Sequence, residues 1–300
     1  MLKGYSNFNI KLLKNKDGYF IKKSDGKRLQ RQIDKQKKLQ SLIERSPVND
    51  YFSVPSILKR NSHSATMEFF NGKSILDIFE TGDTTFLDIT VKKLMGFIDW
   101  EYTEYNNTHL PKEYMLDFDN LIHNKIYLKL EEIKHKVKDF AIEITIDRFW
   151  EIFCKLSKEE LYPKFLTTKF PCGFCHGDFT FSNMIFTDKI ILLDFCDCYI
   201  ETPLQDIAKL LQEIRLEWSL LINSEHRDIP KIKIAYNYLR NKLESKLLLY
   251  NKWCIVFYIM VLFRLFPYIK DKNVYLKVFT EVLFQLTIME EIILKAEIPE

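Results

Sequence analysis

The stretch Cys175-His176-Gly177-Asp178-Phe179-Thr180-Phe181-Ser182-Asn183 places a carboxylate, an amide and an imidazole within a few residues, and the apolar run Ile190-Ile191-Leu192-Leu193 that follows ends at Asp194. This is the set that phosphoryl transfer needs: one group to orient and deprotonate a hydroxyl, and oxygen ligands for a magnesium ion that neutralises phosphate charge. Asp178 is the candidate base. A carboxylate near the reacting oxygen suffices, because proton removal can lag behind bond breaking in a loose transition state. Asn183 and Asp194, one neutral and one anionic oxygen donor, suit magnesium. His176 either organises the loop through hydrogen bonds or handles a proton. The bland alternative is a surface loop before a buried hairpin; base, ligand, hairpin and second ligand in the required order argue against it.

These groups need elements to hold them. Asn183-Met184-Ile185-Phe186 and Ile190-Ile191-Leu192-Leu193 flank the polar Thr187-Asp188-Lys189, a tight hairpin with Asp194 at its end. Thr202-Pro203-Leu204-Gln205 then announces a helix, with Thr202 as N-cap, Pro203 at the first position and Gln205 completing a capping box. Leu204, Ile207, Ala208, Leu211, Ile214 and Trp218 mark its buried face. Asp206, in the first turn, either bonds neighbouring backbone or favours the helix dipole. Further helices are expected over 86–105, 116–138, 144–165, 231–246, 252–266 and 273–296.

Upstream, Phe8–Leu13 and Tyr19–Lys23 form a hairpin around Asn15-Lys16-Asp17-Gly18. Lys22, near the end of its second strand, is placed to point toward a phosphate; the plain alternative is an exposed edge-strand lysine. A helix over 27–45 carries Leu29, Ile33, Leu39, Leu42 and Ile43, and its inward polar position is Gln36, with the nearest acid, Asp34, on the polar side. Pro55–Arg60 and Ala65–Phe70 add two strands, so the sheet has four strands and one helix. Ser74 can cap a helix beginning at Ile75. The boundary falls at 70–73, dividing a nucleotide-binding lobe, 1–70, from a catalytic and acceptor-binding lobe, 71–300.

A chain of 300 residues with 47% hydrophobic and 28% charged residues can bury a sizeable core. Residues 1–60 hold 15 Lys/Arg against 5 Asp/Glu, a basic end that suits a polyphosphate or reflects a solvated helix face. Nucleic acid is not expected, since the basic residues lack interleaved aromatics. The first residues have no apolar signal region, and the most lipid-like run, Trp253 to Phe263, is about half the length of a spanning helix. Six cysteines without an export signal fit a reduced, cytoplasmic protein. The sequence is silent on oligomeric state.

His176-Gly-Asp-Phe-Thr-Phe-Ser-Asn183, with Asp194-Phe-Cys-Asp197 and then Asp206, resembles the aminoglycoside phosphotransferase and choline kinase superfamily. Gly4-Tyr-Ser-Asn-Phe-Asn-Ile10 with Tyr19-Phe-Ile-Lys22 looks like the nucleotide loop and lysine strand of its choline-kinase-like branch, and Met67-Glu-Phe-Phe-Asn-Gly72 looks like its hinge. The resemblance implies an α+β, two-lobed protein-kinase-like fold, with a small antiparallel-sheet N-lobe and a larger, mostly helical C-lobe carrying a catalytic hairpin. It implies ATP and Mg2+ as cofactors, Lys22 on the ATP phosphates, Ser6 and Asn7 over them, and backbone from Glu68 to Phe70 at the adenine. By the same likeness Asp178 is the base, Asn183 and Asp194 hold magnesium, and Asp206 braces the catalytic loop. Two departures stand out. Gln36 occupies the place of the acidic partner of the strand lysine, and Thr180 the place where protein kinases have a lysine shortly after the base.

The expected activity is phosphorylation of a hydroxyl on an amino alcohol or a sugar, with Trp218, Trp253, Tyr258, Arg264 and Tyr268 as the acceptor region. Aromatics there can cage a quaternary ammonium, stack on a sugar or simply fill the core. The alternative is a pseudokinase, a nucleotide-binding interaction module, suggested by Gln36. Cys172, Cys175, Cys196 and Cys198 could also be read as a zinc site, although Cys-x-Cys is an awkward second half.

Overall fold

The computed structural model describes residues 9–13, 19–23, 26–105, 107–109, 169–196, 198, 200–269, 271–289 and 291. The helices expected over 116–138 and 144–165 lie outside these residues, as do Ser6 and Asn7. The architecture is α+β: a small antiparallel sheet with one helix, then a mostly helical remainder with a hairpin at the catalytic loop.

Strands β1 (Asn9–Leu13), β2 (Tyr19–Lys23), β4 (Ile57–Arg60) and β5 (Ser64–Glu68) form the four-stranded sheet, in the order β1-β2-β5-β4. Lys22 lies opposite Ile10 on one side and Ala65 on the other. Helix α1 (Gly26–Glu44) serves two cores. Its Leu29 and Ile33 pack with Ala65 and Met67 under the sheet, whereas Leu39 and Ile43 join the main core with Phe52, Phe97 and Phe179.

Two short pairings were not expected. Strand β3 (Phe52–Ser53) runs parallel to β9 (Ile190–Leu192), which pairs antiparallel with β8 (Met184–Phe186). Strand β6 (Asn107–His109) pairs with β7 (Lys169–Pro171). Two or three residues are too few to show an alternating pattern, and their partners lie far along the chain. The hairpin is held on its other flank as well, where Lys73 and Phe186 exchange both backbone hydrogen bonds at 2.9 Å.

Helix α2 (Ile75–Phe79) starts at Ser74 with a complete capping box formed with Asp77, and α3 (Thr84–Glu104) starts at Asp83, whose carboxylate accepts from Phe86 N. Then come α4 (Pro203–Leu216), α5 (Trp218–Ile222), α6 (Ile229–Tyr250), α7 (Cys254–Phe263) and α8 (Lys272–Met289). Every residue of α7 is buried, so the apolar run is a core helix; no single helix among the described residues is long and apolar enough to cross a membrane.

Helix α4 departs from the expected amphipathic pattern. It is enclosed on nearly all sides, and Gln205, Asp206, Lys209, Gln212 and Glu213 are buried beside its apolar residues. The capping box at its start does not form. The Thr202 hydroxyl accepts from Leu204 N and donates to the Pro171 carbonyl at 2.6 Å, while the Gln205 amide has no partner among the described residues. The threonine is committed to tying the helix to β7.

On the neighbouring α3, Phe97 is fully buried and stacks on Phe179 of the catalytic loop, with centroids 4.7 Å apart and planes 10° from parallel. Truncation there loses apolar contact and leaves a void. Phe97→Ala is expected to destabilise the fold by about 3–5 kcal/mol, read as a lower urea midpoint with an unchanged m-value.

Candidate active site

The loop from Cys175 to Asn183 is shaped by its backbone. Gly177 has φ +88°, and a Cβ there would lie 2.3 Å from the Cys196 carbonyl oxygen and 2.6 Å from Cys198 Sγ. Only glycine combines that conformation with so close an approach. The turn aims two N–H groups at one carboxylate: His176 N and Gly177 N donate to Asp206 at 2.5 and 2.7 Å. Of the two roles open to Asp206, the structure takes backbone bonding.

His176 is buried, its ring 4.5 Å from that of Phe195, and its Nδ1 accepts from Asp178 N at 3.2 Å. Accepting at Nδ1 leaves the proton of the neutral ring on Nε2. This geometry makes the imidazole part of the loop's internal bonding.

Asp178 is the half-buried centre of the loop. Asn183 Nδ2 donates to its Oδ2 and to its carbonyl oxygen, both at 2.9 Å. Lys209 Nζ, from α4, lies 3.0 Å from its Oδ1. Burial would raise the pKa of this carboxyl, but the ammonium of Lys209, first among the charges around it, outweighs burial and holds Asp178 below the usual carboxylate range. The group is an anion, as a base must be.

Because the Asn183 nitrogen is turned to Asp178, its amide oxygen faces the other way. Leu193 N donates to the Asn183 carbonyl at 2.9 Å, which brings the approach to Asp194 alongside, and Asp194 itself adopts φ 56°. Both side chains are half-buried. Hard oxygen donors with access to water fit a partly hydrated magnesium ion.

Helix α4 grips the loop residue by residue. Asp206, Lys209 and Glu213 recur at helical spacing on one face and meet, in order, the backbone of His176 and Gly177, the carboxylate of Asp178 and the backbone of Phe181. Glu213 accepts from Phe181 N at 3.1 Å, Ser219 N at 2.8 Å, Ser219 Oγ at 2.9 Å and Tyr236 OH at 2.7 Å. Lys209 and Glu213 were missed as site residues. The available signal was charge at i, i+3 and i+7 among the apolar residues of the helix.

The small lobe differs more from expectation. Gln36 is buried, but its amide nitrogen donates to the Pro55 carbonyl at 2.7 Å and contacts Met67 Sδ at 3.8 Å. Asp34 accepts from Gln30 at 2.7 Å and lies 3.7 Å from Arg60. The charge that α1 sends inward is Lys35, whose Nζ meets both Glu201 oxygens at 2.8 and 2.9 Å, the Cys196 carbonyl at 2.8 Å and Cys198 Sγ at 3.2 Å. Of the four cysteines weighed for zinc, Cys175 and Cys198 come together, 3.2 Å apart, beside Glu201. The ammonium of Lys35 already neutralises that corner.

Glu68 and Phe70 sit half-buried at and just beyond the end of β5, with Glu68 N bonded to the Ser56 carbonyl at 3.0 Å. The acceptor candidates divide. Trp253 and Tyr258 are 1% exposed and Trp218 8%, so all three are packed into the core. They fill α7 and its contacts because a helix this apolar is buried on every side. Arg264 is half-buried and close enough to act on Asp178, and Tyr268 is 44% exposed.

Glu101 of α3 is a further buried acid, behind the loop at Asp206. No donor among the described residues reaches either of its oxygens. Burial, then the neighbouring Asp206 carboxyl, raises its pKa well above the ordinary value. Asp206 already accepts two N–H bonds and Glu101 none, so the pair's proton resides on Glu101, which donates it toward Asp206. An unfolded Glu101 loses this proton near its ordinary pKa, whereas the folded one keeps it to higher pH, so stability falls as pH rises through that window. Glu101→Gln keeps a donor and removes the titration. Its urea midpoint is expected to gain on the wild type as pH rises above the ordinary carboxylate range; parallel curves would overturn this placement of the proton.

Among solved structures, the chain is similar to the ternary complex of streptomycin and ATP with APH(2'')-IIa, at 16% identity and a TM-score of 0.45, over 92% of this chain and 91% of that one. It is also similar to the gentamicin complex of APH(2'')-IIa, at 17% identity and a TM-score of 0.47, over 92% and 88%, and to ADP-bound aminoglycoside phosphotransferase APH(2'')-Ib, at 16% and 0.45, over 93% of each chain. No individually curated protein sequence matches. The family profile of APH, the phosphotransferase enzyme family, matches residues 2–228, the stretch that holds the small sheet, the catalytic loop and α4, and the chain belongs to that family.

Proposed function

We propose that this phosphotransferase moves the γ-phosphoryl of ATP, with magnesium, to a hydroxyl of a small amino alcohol, sugar or amino sugar. The observation that carries the reading is the ionised Asp178, held at both carboxylate oxygens by Asn183 and Lys209 on a loop that α4 pins from behind. The acceptor hydroxyl attacks the γ-phosphorus, the bond from phosphorus to the bridging oxygen breaks, ADP departs with that electron pair, and the hydroxyl proton passes to Asp178. Asn183 and Asp194 would hold the magnesium, which draws off charge from the phosphates when bound.

Lys22 on β2, with Ser6, Asn7 and the backbone of Glu68 to Phe70, forms the proposed nucleotide site, and 1–70 and 71–300 the two lobes around it. Asp206 braces the loop, and His176 belongs with it as an organising residue. Gln36 supports the small lobe through Pro55 rather than serving as a charged partner. The burial of Trp218, Trp253 and Tyr258 favours an acceptor met by Arg264 and Tyr268 over a cage built from those aromatics. A choline-like acceptor and a sugar therefore both stay in the screen.

ADP release measured across choline, ethanolamine, aminoglycosides, hexoses and amino sugars is expected to single out one class. With that acceptor, Asp178→Asn should lower kcat at least about a hundredfold while leaving the thermal shift caused by ATP in place. Near-normal turnover in the variant would sink the assignment of the base. Nucleotide-induced stabilisation with no turnover on any acceptor would instead favour a non-catalytic nucleotide-binding module.

A further inference from the structure

Lys209 is one turn along α4 from Asp206, and its side chain is 9% exposed. Burying an ammonium is unfavourable unless its charge and donors are used. Two uses are evident: Asp178 Oδ1 at 3.0 Å and Gln212 Oε1 at 3.1 Å. An ammonium carries three N–H donors, so one is left over among the described residues, at the edge of the base. Thr180, two positions after Asp178 in the loop, has a hydroxyl that meets Ser182 Oγ at 2.9 Å and offers no cation.

A transferring phosphoryl group spreads negative charge over three equatorial oxygens, and a fixed cation aimed at that charge is the most effective help a protein gives it. Resting on the proposed transfer reaction, we infer that Lys209 is the phosphoryl-facing cation of this site, delivered from α4 rather than from the loop. One donor holds Asp178 toward the acceptor hydroxyl. The remaining donor meets an oxygen of the phosphoryl group as it leaves ADP. Lys209 then works on both reactants of the same step: it fixes the base that receives the proton and stabilises the group that receives the oxygen.

The two tasks separate by experiment. With an acceptor in hand, Lys209→Met should lower kcat about a hundredfold with KM for ATP and acceptor changed little. It should also slow the acceptor-free hydrolysis of ATP, in which water replaces the hydroxyl. Lys209→Arg, which keeps the charge, should recover part of both rates. Thermal unfolding of both variants checks the fold, and if Lys209→Met fails to fold, Lys209→Arg and Lys209→Gln carry the same comparison. Unchanged kcat, or a loss of transfer with ATP hydrolysis intact, would overturn the inference, the second outcome reducing Lys209 to a prop for Asp178. Asp178→Asn in parallel keeps this apart from the reaction itself: an active Asp178→Asn removes the base, whereas an inactive one beside a normal Lys209→Met removes only the lysine.

Discussion

The rest of the site depends on one carboxylate meeting two backbone N–H groups. Asp206 accepts from His176 and Gly177 at the tightest point of the catalytic loop, where Gly177 lies in a left-handed conformation that no larger side chain could take. These donors would otherwise be buried and unpaired, at a penalty of about 1–3 kcal/mol each. Satisfying them ties the loop to a helix rather than to water. With the turn held, the direction of Asp178 follows, because its own N–H is bonded to His176 and its carboxylate to Asn183 and Lys209.

A helix that performs this task cannot be an ordinary surface helix. Helix α4 is enclosed by α3, α6 and α7, so its polar residues must find partners in the interior. Glu213 has four donors and Lys209 has a carboxylate and an amide. The Gln205 amide has no partner among the described residues, and at Asp206 a second acid, Glu101, meets the first with a retained proton. Burial raises the pKa of both acids, and the N–H groups of the loop draw that of Asp206 back down.

The small sheet is joined to this apparatus through several short contacts rather than one hinge. The second half of α1 packs in the main core, β3 adds a strand to the catalytic hairpin, and Lys35 crosses to Glu201 beyond it. Lys189 at the hairpin turn donates to the Asn49 carbonyl from the other side. Helix α1 thus meets the segment after Asp194 through a lysine, with charge of the opposite sign from the acid expected on that helix. Gln36, the neighbouring residue, is free of that duty and bonds the chain at Pro55.

Much of this was legible along the chain because it is local. The spacing from Asp178 to Asn183, the apolar strands around Thr187-Asp188-Lys189, and the caps at Ser74 and Thr202 all arise from neighbours a few residues apart. Gln205 shows the limit: a capping box was written in the residue types, but packing against β7 used the threonine differently. Trp253 and Tyr258 show it again, since aromatic residues in a row look the same whether they line a cleft or fill a core. Lys209 beside Asp178, Glu101 behind Asp206 and Lys35 on Glu201 were decided only by tertiary structure. Each joins residues from separate elements, and no periodicity within one segment records which charge another segment will bring to meet it. The sequence by itself determined the order of His176, Asp178, Asn183 and Asp194 along the loop and hairpin; the enclosure of α4 decided which charges surround them.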